Sequence, residues 1–328
     1  DVVIRSGAFG GCAYCRNEDN WENGALYIGK HLIGVSREVA GQYAIKDGTI
    51  SVGDYAFEWC ENLTDVIIPD TVTMIGRYAF RGCKSLESAV IPYGVTTIGE
   101  GAFSGCERLA TANLPDGVTS IEASAYFNTA YYNQKSNWEN GALYIGKHLI
   151  CVEHCPSETY NVKSGTLTIA DDAFLSDSAP RSVYIPESVK TIGQDVFYNG
   201  GHYLEIKIAA GNANYRTADG IIYNKDRTEL LRYDPQRIDM AFTVPSGVKT
   251  IGSGAFFGCE DLISVTIAND VTTISSFAFV DCDYLMTVNI GKSVKKIGSA
   301  VFGYSSPLTD IYYEGSVADW NRISLIDE

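Results

Sequence analysis

Apolar residues recur along this chain at fixed places in a frame of 23 residues. From Leu63 the chain reads LTDVIIPDTVTMIGRYAFRGCKS, from Leu86 LESAVIPYGVTTIGEGAFSGCER, and from Leu262 LISVTIANDVTTISSFAFVDCDY. The same interval of 23 separates Phe57, Phe80 and Phe103, then Phe174 and Phe197, then Phe256, Phe279 and Phe302. Within the frame Leu63, Val66 and Ile68 take the inward positions of a short strand. Pro69, which has no N–H for a ladder, ends it. Val72 and Ile75 form a second inward pair, and Gly76 predicts a tight turn that a side chain would obstruct. A short helical turn is expected near Ala79 and Phe80, before Gly82 and Cys83 close the coil. Val, Ile and Thr dominate the extended parts, which favours strand over helix. A fixed period of roughly 20 to 50 residues marks a solenoid in which each repeat is one coil stacked on the last.

Energetics require the stacking. One coil offers about six large apolar side chains, each contributing roughly 1.5–3 kcal/mol when buried. Ordering its backbone costs about 1–2 kcal/mol per residue. A lone coil therefore does not hold, and neighbours tip the balance by burying both of its faces. The whole chain, 1–328, is expected to form a single solenoid domain.

Three inserts break the period. WENGALYIGKHLI occurs from Trp21 to Ile33 and again from Trp138 to Ile150, an offset of 117 that also maps Phe57 onto Phe174. Gly29-Lys30 and Gly146-Lys147 each divide two apolar runs, which predicts a β-hairpin with a two-residue turn. A third insert, Ala218 to Pro235, repeats the pattern with turn chemistry at Asn224-Lys225-Asp226. These place hairpins near 16–44, 132–161 and 211–241, expected to pack onto the solenoid. The tail, 308–328, begins as a coil, leaves the pattern at Tyr313 and is expected to cover the C-terminal end of the core. Ile4 and Phe9 stand as Ile75 and Phe80 do, so Asp1 falls inside a coil. The chain is accordingly expected to be a segment of a longer protein, with any signal or anchor outside it.

At 45% apolar and 20% charged residues the chain belongs with ordered proteins. Its net charge of −15 argues against nucleic acid, whose phosphates need clustered Lys and Arg, and against an anionic membrane surface. No apolar run approaches the length that spans a bilayer, so no membrane insertion by this segment is expected.

The pattern L-x-x-V-x-I-P-x-x-V-x-x-I-G-x-x-A-F-x-G-C resembles the BspA-like leucine-rich repeats of bacterial surface proteins. The resemblance covers nearly the whole chain and includes the hairpin phrase NGALYIGKHLI and the terminal IYYEGSVADW. It implies a right-handed leucine-rich-repeat solenoid with a strand-lined inner face. It further implies a secreted or cell-surface protein of the kind often described as an adhesin, and it supplies no catalytic residues.

The nine cysteines are the first candidates for chemistry. Cys12, Cys60, Cys83, Cys106, Cys259 and Cys282 each lie three residues after the repeat phenylalanine, as small core pieces would. Stacked thiols are expected over ladder disulfides, because side chains one coil apart keep their Cβ atoms beyond the roughly 3.8 Å that a relaxed disulfide prefers. Off that ladder, Cys15, Cys151 and Cys155 leave open a local Cys151–Cys155 disulfide. They also leave open a zinc site, which would need the Cys12/Cys15 and Cys151/Cys155 pairs to meet. His31 and His148 occupy equivalent hairpin positions and are expected on the surface; His154 and His202 are isolated. Glu18-Asp19, Asp171-Asp172 and Asp281-Cys282-Asp283 lack the alternating spacing of a calcium loop and are expected as solvated turns. The outer strand positions Asp65, Ser88, Thr111, Ser264, Thr287 and Asp310, with Thr96-Thr97, Thr272-Thr273 and Lys295-Lys296, form small polar columns. Tyr184, Tyr312, Trp21, Trp138 and Trp320 are the candidate aromatic contacts, the tryptophans more as packing. No catalytic, cofactor or metal residues are assigned.

Together these point to a non-enzymatic recognition scaffold, extracellular or on the cell surface, whose partner is an extracellular or host protein. A glycan-binding module and a passive spacer presenting another domain are the alternatives.

Overall fold

The computed structural model describes residues 12–155, 157–176, 178, 180–196, 204–305 and 307–326. Ile4, Phe9, Phe197 and His202 lie outside the described residues. The chain is a β-solenoid with coils of about 23 residues and few helices. It divides into two compact units, Asp1–Pro156 with Gly165–Ala173 and Val189–Val196, and Ser157–Ser164 with Phe174–Ser188 and Phe197–Glu328.

In the first unit one parallel sheet joins Gly41–Ala44, Leu63–Ile67 and Ser88–Ala89, with Tyr43 opposite Val66 and Val66 opposite Ala89. A second sheet takes the short strands Ser51–Val52, Met74–Ile75, Thr97–Ile98 and Ser120–Ile121, in parallel and in register. The register equals the repeat, so Val52, Ile75, Ile98 and Ile121 lie one above another, each at most 1% exposed. Threonines on this face serve more than solubility. The Thr73, Thr96 and Thr119 hydroxyls donate to the carbonyls of Ile50, Thr73 and Thr96 in the coil below.

The stretch around each repeat phenylalanine differs from the expected helical turn. Residues two before and two after it sit in the left-handed region: Tyr55 and Trp59, Tyr78 and Gly82, Gly101 and Gly105, Ser124 and Asn128. This alternation turns every second N–H toward the next coil. Phe57 N donates to Ala79 O at 2.7 Å, Phe80 N to Ala102 O at 2.7 Å and Phe103 N to Ala125 O at 2.8 Å, forming a third ladder between coils. A helix would spend those N–H groups within its own turn, so the stacked coils favour the ladder. Inside it the rings of Phe57, Phe80, Phe103 and Tyr126 stack at centroid distances of 4.8, 5.2 and 5.2 Å.

The hairpins are built into the solenoid, where the sequence suggested they pack onto it. Trp21–Glu22, Ala25–Ile28 and His31–Val35 form an antiparallel meander through a two-residue turn, Ile28 opposite His31. The last of these strands then pairs in parallel with Ser51–Val52, taking the place of a coil strand. The second copy does the same: Trp138–Glu139, Ala142–Ile145 and His148–Val152 lead into Thr168–Ile169 and Thr191–Ile192.

The second unit repeats this plan. Tyr215–Ala218, Ile221–Asn224 and Glu229–Tyr233 open a seven-stranded sheet that runs through Thr250–Ile251, Thr273–Ile274 and Lys296–Gly298 to Ser324–Ile326. A parallel sheet of four strands (Ala241–Thr243, Ser264–Ile267, Thr287–Ile290, Asp310–Tyr313) accompanies it coil by coil, and a further parallel sheet takes Thr159–Asn161, Ser182–Ile185 and Glu205–Ile208. Tyr233, Phe256, Phe279 and Phe302 form its ring stack. The tail leaves the 23-residue interval after Tyr313: Asp310–Tyr313 pairs with Thr287–Ile290 at 23, but Ser324–Ile326 pairs with Lys296–Gly298 at 28, so the four- and seven-stranded sheets each gain a strand, and the helix Val317–Trp320, N-capped by a Ser316–Asp319 capping box, takes up the difference.

Candidate recognition surface

The register that stacks inward residues stacks outward ones too. Along the first sheet of the first unit and the coil that follows it, three columns face out: Asp65 and Ser88; Ile67, Val90 and Asn113; and, at the following turn, Asp70, Tyr93 and Asp116. They line an open groove of about 810 Å³. Its apolar members are well exposed, Ile67 at 50%, Val90 at 64% and Tyr93 at 90%. Its acidic members differ in company. Asp65 accepts from the Gln42 side-chain amide at 2.6 Å, and the Lys147 ammonium 2.5 Å from Asp116 holds that carboxyl below its usual range. Sequence reading passed over Ile67, Val90 and Tyr93. The signal was present as an apolar residue beside the inward Ile68 and Ile91, where the second unit places Thr266 and Asn289 in the same column.

Of the aromatic candidates, Tyr184 and Tyr312 are exposed, at 40% and 57%. Trp21 and Trp138 are half-buried, and their indole N–H groups donate to the carbonyls of Cys15 and Tyr132, which fixes them as packing groups. Trp320 meets Tyr313 edge to face at 5.3 Å. A smaller cavity in the second unit, about 350 Å³, is lined in part by Glu205, Lys207, Asp234 and the buried Arg232, whose guanidinium donates to Gly254 O.

The ladder cysteines are thiols with a polar task. Cys83, Cys106 and Cys282 each donate S–H at 3.1 Å to the carbonyl of the repeat phenylalanine one coil earlier, Phe57, Phe80 and Phe256. Ser305 fills the same slot after Phe302 and donates to Phe279 O at 2.7 Å. The slot therefore requires a small donor. Burial pushes the Cys60 thiol up to about 11 and that of Cys106 to about 12, which makes both poor nucleophiles at neutral pH. Of the cysteines off the ladder, Cys15 has its sulfur 3.4 Å from that of Cys12, and Cys151 and Cys155 form no disulfide. Among the described residues no group of three or more His, Cys, Asp or Glu is arranged to hold a metal.

Two surface assignments need correction. His148 is fully buried, its Nε2 3.2 Å from Pro115 O, whereas its counterpart His31 is half-buried with Nδ1 2.8 Å from the Ser51 hydroxyl. The turn of the preceding coil at Pro115 lies against His148, so duplication of a phrase did not duplicate its exposure. Burial lowers the His148 pKa and keeps the ring neutral. Asp171 and Asp172, expected in a solvated turn, are half-buried. Desolvation is the main cause that raises Asp171 to about 7 and Asp172 to about 6; nearby carboxylates add to it, Glu122 beside Asp171 and Asp195 beside Asp172. Asp171 Oδ1 accepts from Gln194 N at 2.8 Å, as Asp54 Oδ1 accepts from Arg77 N, which explains why the carboxylate is kept there.

A folded pKa above the unfolded value means that the folded state binds the proton more tightly. The penalty of the Asp171 charge is then absent near pH 4, grows as pH rises to about 7 and stays constant above. Asp171→Asn keeps the acceptor oxygen and removes the charge. It is expected to stabilise the first unit by about 2 kcal/mol at pH 8 and by much less near pH 4, discounted for residual solvent. Thermal unfolding at the two pH values checks this; equal gains at both would contradict a buried charge.

Comparison with known proteins adds the following. The sequence profile described as BspA type leucine rich repeat region matches residues 41–151, 134–218 and 240–324, in six copies. No curated protein matches the chain. Among solved structures, the chain is similar to a leucine rich cell surface protein from Faecalibacterium prausnitzii, at 22% identity over 93% of this chain and 97% of that one, with a TM-score of 0.35. It is also similar to a leucine-rich repeat protein from Eubacterium ventriosum, at 21% identity over 94% and 84%, with a TM-score of 0.42. The pneumococcal vaccine antigen PcpA is 16% identical over 89% and 76%, with a TM-score of 0.39.

Proposed function

The chain belongs to the BspA-type leucine-rich repeat family, and from that premise we propose that it is a non-enzymatic recognition scaffold, secreted or held at a bacterial cell surface. The family suggests a protein–protein interaction scaffold. The observation that carries the reading further is in the outward columns of the first unit, where Ile67 and Val90 stand exposed at positions that hold Thr266 and Asn289 in the second unit, and Tyr93 at the position of Asn269 and Lys292. An apolar side chain at such a position adds nothing to the core and exposes itself at a cost, which contact with a partner recovers. Tyrosine offers a large contact area with few rotors to freeze. An extracellular or host protein is the proposed partner.

The test is a binding screen of the chain against extracellular-matrix proteins and glycans side by side, with an Ile67→Ser, Val90→Ser, Tyr93→Ser variant in parallel. The reading expects saturable binding to a protein, insensitive to free sugars and weakened in the variant. Binding to a glycan alone would replace it with a carbohydrate module resting on exposed tyrosines such as Tyr93 and Tyr312. Silence on both arrays would leave a spacer.

A further inference from the structure

We propose that the groove over Asp65, Ile67, Asp70, Val90, Tyr93 and Asp116 takes an extended, cationic segment of a partner protein. The inference rests on the recognition reading above and names the chemistry of its partner. The groove's lining contains three aspartates and neither Lys nor Arg. Asp116 has a cation nearby, but that ion pair leaves Lys147 53% and Asp116 60% exposed. A pair so hydrated holds weakly and exchanges readily for an incoming cation. Asp65 is held by a neutral amide, so its charge is not offset.

The geometry fits a chain that crosses the coils. Asp70, Tyr93 and Asp116 occupy one position in three successive coils, so the tyrosine lies between two aspartates whose backbones are about 5 Å to either side along the stack. A guanidinium or ammonium over the exposed Tyr93 face would gain ring attraction and have a carboxylate on either side. One column away, Ile67 and Val90 form a continuous apolar strip two coils long. A segment with a Lys or Arg on one side and an apolar residue on the other meets both columns at once. The second unit does not offer this site. Its equivalent column carries Thr243, Thr266 and Asn289 before the exposed Tyr312, with no aliphatic pair, and at the turn stand Asn269 and the cation Lys292, with Asn269 Oδ1 accepting from Lys292 N. The groove is thus particular to one stretch of the chain and does not follow from the repeat itself.

Fluorescence anisotropy with three labelled peptides tests the proposal: Lys/Arg alternating with Leu/Tyr, the same with Glu for every cation, and the same with Ser for every apolar residue. The first is expected to bind saturably and to weaken several-fold between about 50 and 300 mM salt. The second should not bind, and the third should bind at least fivefold more weakly. Val90→Ser and Asp70→Asn should each weaken the first peptide three- to tenfold, while Thr266→Ala in the second unit changes nothing. These side chains are exposed, and circular dichroism confirms that the variants fold. Equal binding of the first and third peptides, untouched by Val90→Ser, would overturn the groove in favour of diffuse charge attraction. If a matrix protein binds and no peptide does, the cationic assignment fails while the recognition reading stands. Silence in both experiments sinks both.

Discussion

Replacing Phe80 by alanine is expected to cost the first unit about 4 kcal/mol, the middle of the range for buried aromatics. Phe80 has no exposure and lies between Phe57 and Phe103, with ring planes within 15° and 4° of parallel. Truncation removes both stacking contacts and opens a cavity. Neither neighbour can tip into it, because the backbone of each is held to the adjacent coil by the N–H of the phenylalanine itself. Phe302 supplies the contrast: it is half-buried and, among the described residues, stacks on Phe279 alone, at 5.5 Å. Its alanine variant should lose about 1–2 kcal/mol, in line with its partial burial. Urea titration of both variants decides the matter, and similar losses would mean that the ring stack contributes no more than area.

The second large effect belongs to a glycine. A Cβ on Gly76 would come within 2.6 Å of Asp54 N and 2.7 Å of Gly53 C, both backbone atoms of the coil below. Those atoms cannot retreat while Gly76 N donates to Val52 O at 2.8 Å and Arg77 N to Asp54 Oδ1 at 2.9 Å. Gly76→Ala is therefore expected to cost about 3 kcal/mol as overpacking against backbone. Gly29→Ala has no atom within 4 Å of its Cβ and pays only for φ of +59°, about 1–2 kcal/mol. Thermal unfolding of the pair ranks them. A Gly29 variant as damaging as the Gly76 variant would show that turn conformation, not coil spacing, is what the glycine protects.

Gly76 shows how far the sequence could be read. Its need to lack a side chain was legible, but its reason was placed in its own turn, when the obstacle is the neighbouring coil. The inward residues Leu63, Val66, Ile75 and Phe80 were legible because the register between coils equals the period, so one repeat states the contacts of all. The left-handed pairs were not. Tyr55, Tyr78, Gly101, Ser124, Phe277 and Ala300 share a conformation and almost no chemistry, since hydrogen bonds to the next coil impose it. The donor role of the cysteine slot had a signal, Ser305 after Phe302, which an apolar reading of cysteine set aside. His148 misled because the same phrase met different surroundings. The groove was the least legible part, as Ile67 and Val90 sit beside inward isoleucines and pass for core in a one-dimensional pattern.

The three ladders of the first unit have a mechanical meaning. The ladder bonds between one coil and the next run along the stack and carry tension in series, so the end coil, held by a neighbour on one side only, is the first to let go. A coil that lets go pays out 23 residues, about 80 Å of slack, and relieves the tension on the rest until that length is drawn taut. Stretched this way, the unit yields by instalments at nearly constant force, a shock absorber whose step length is written in its repeat.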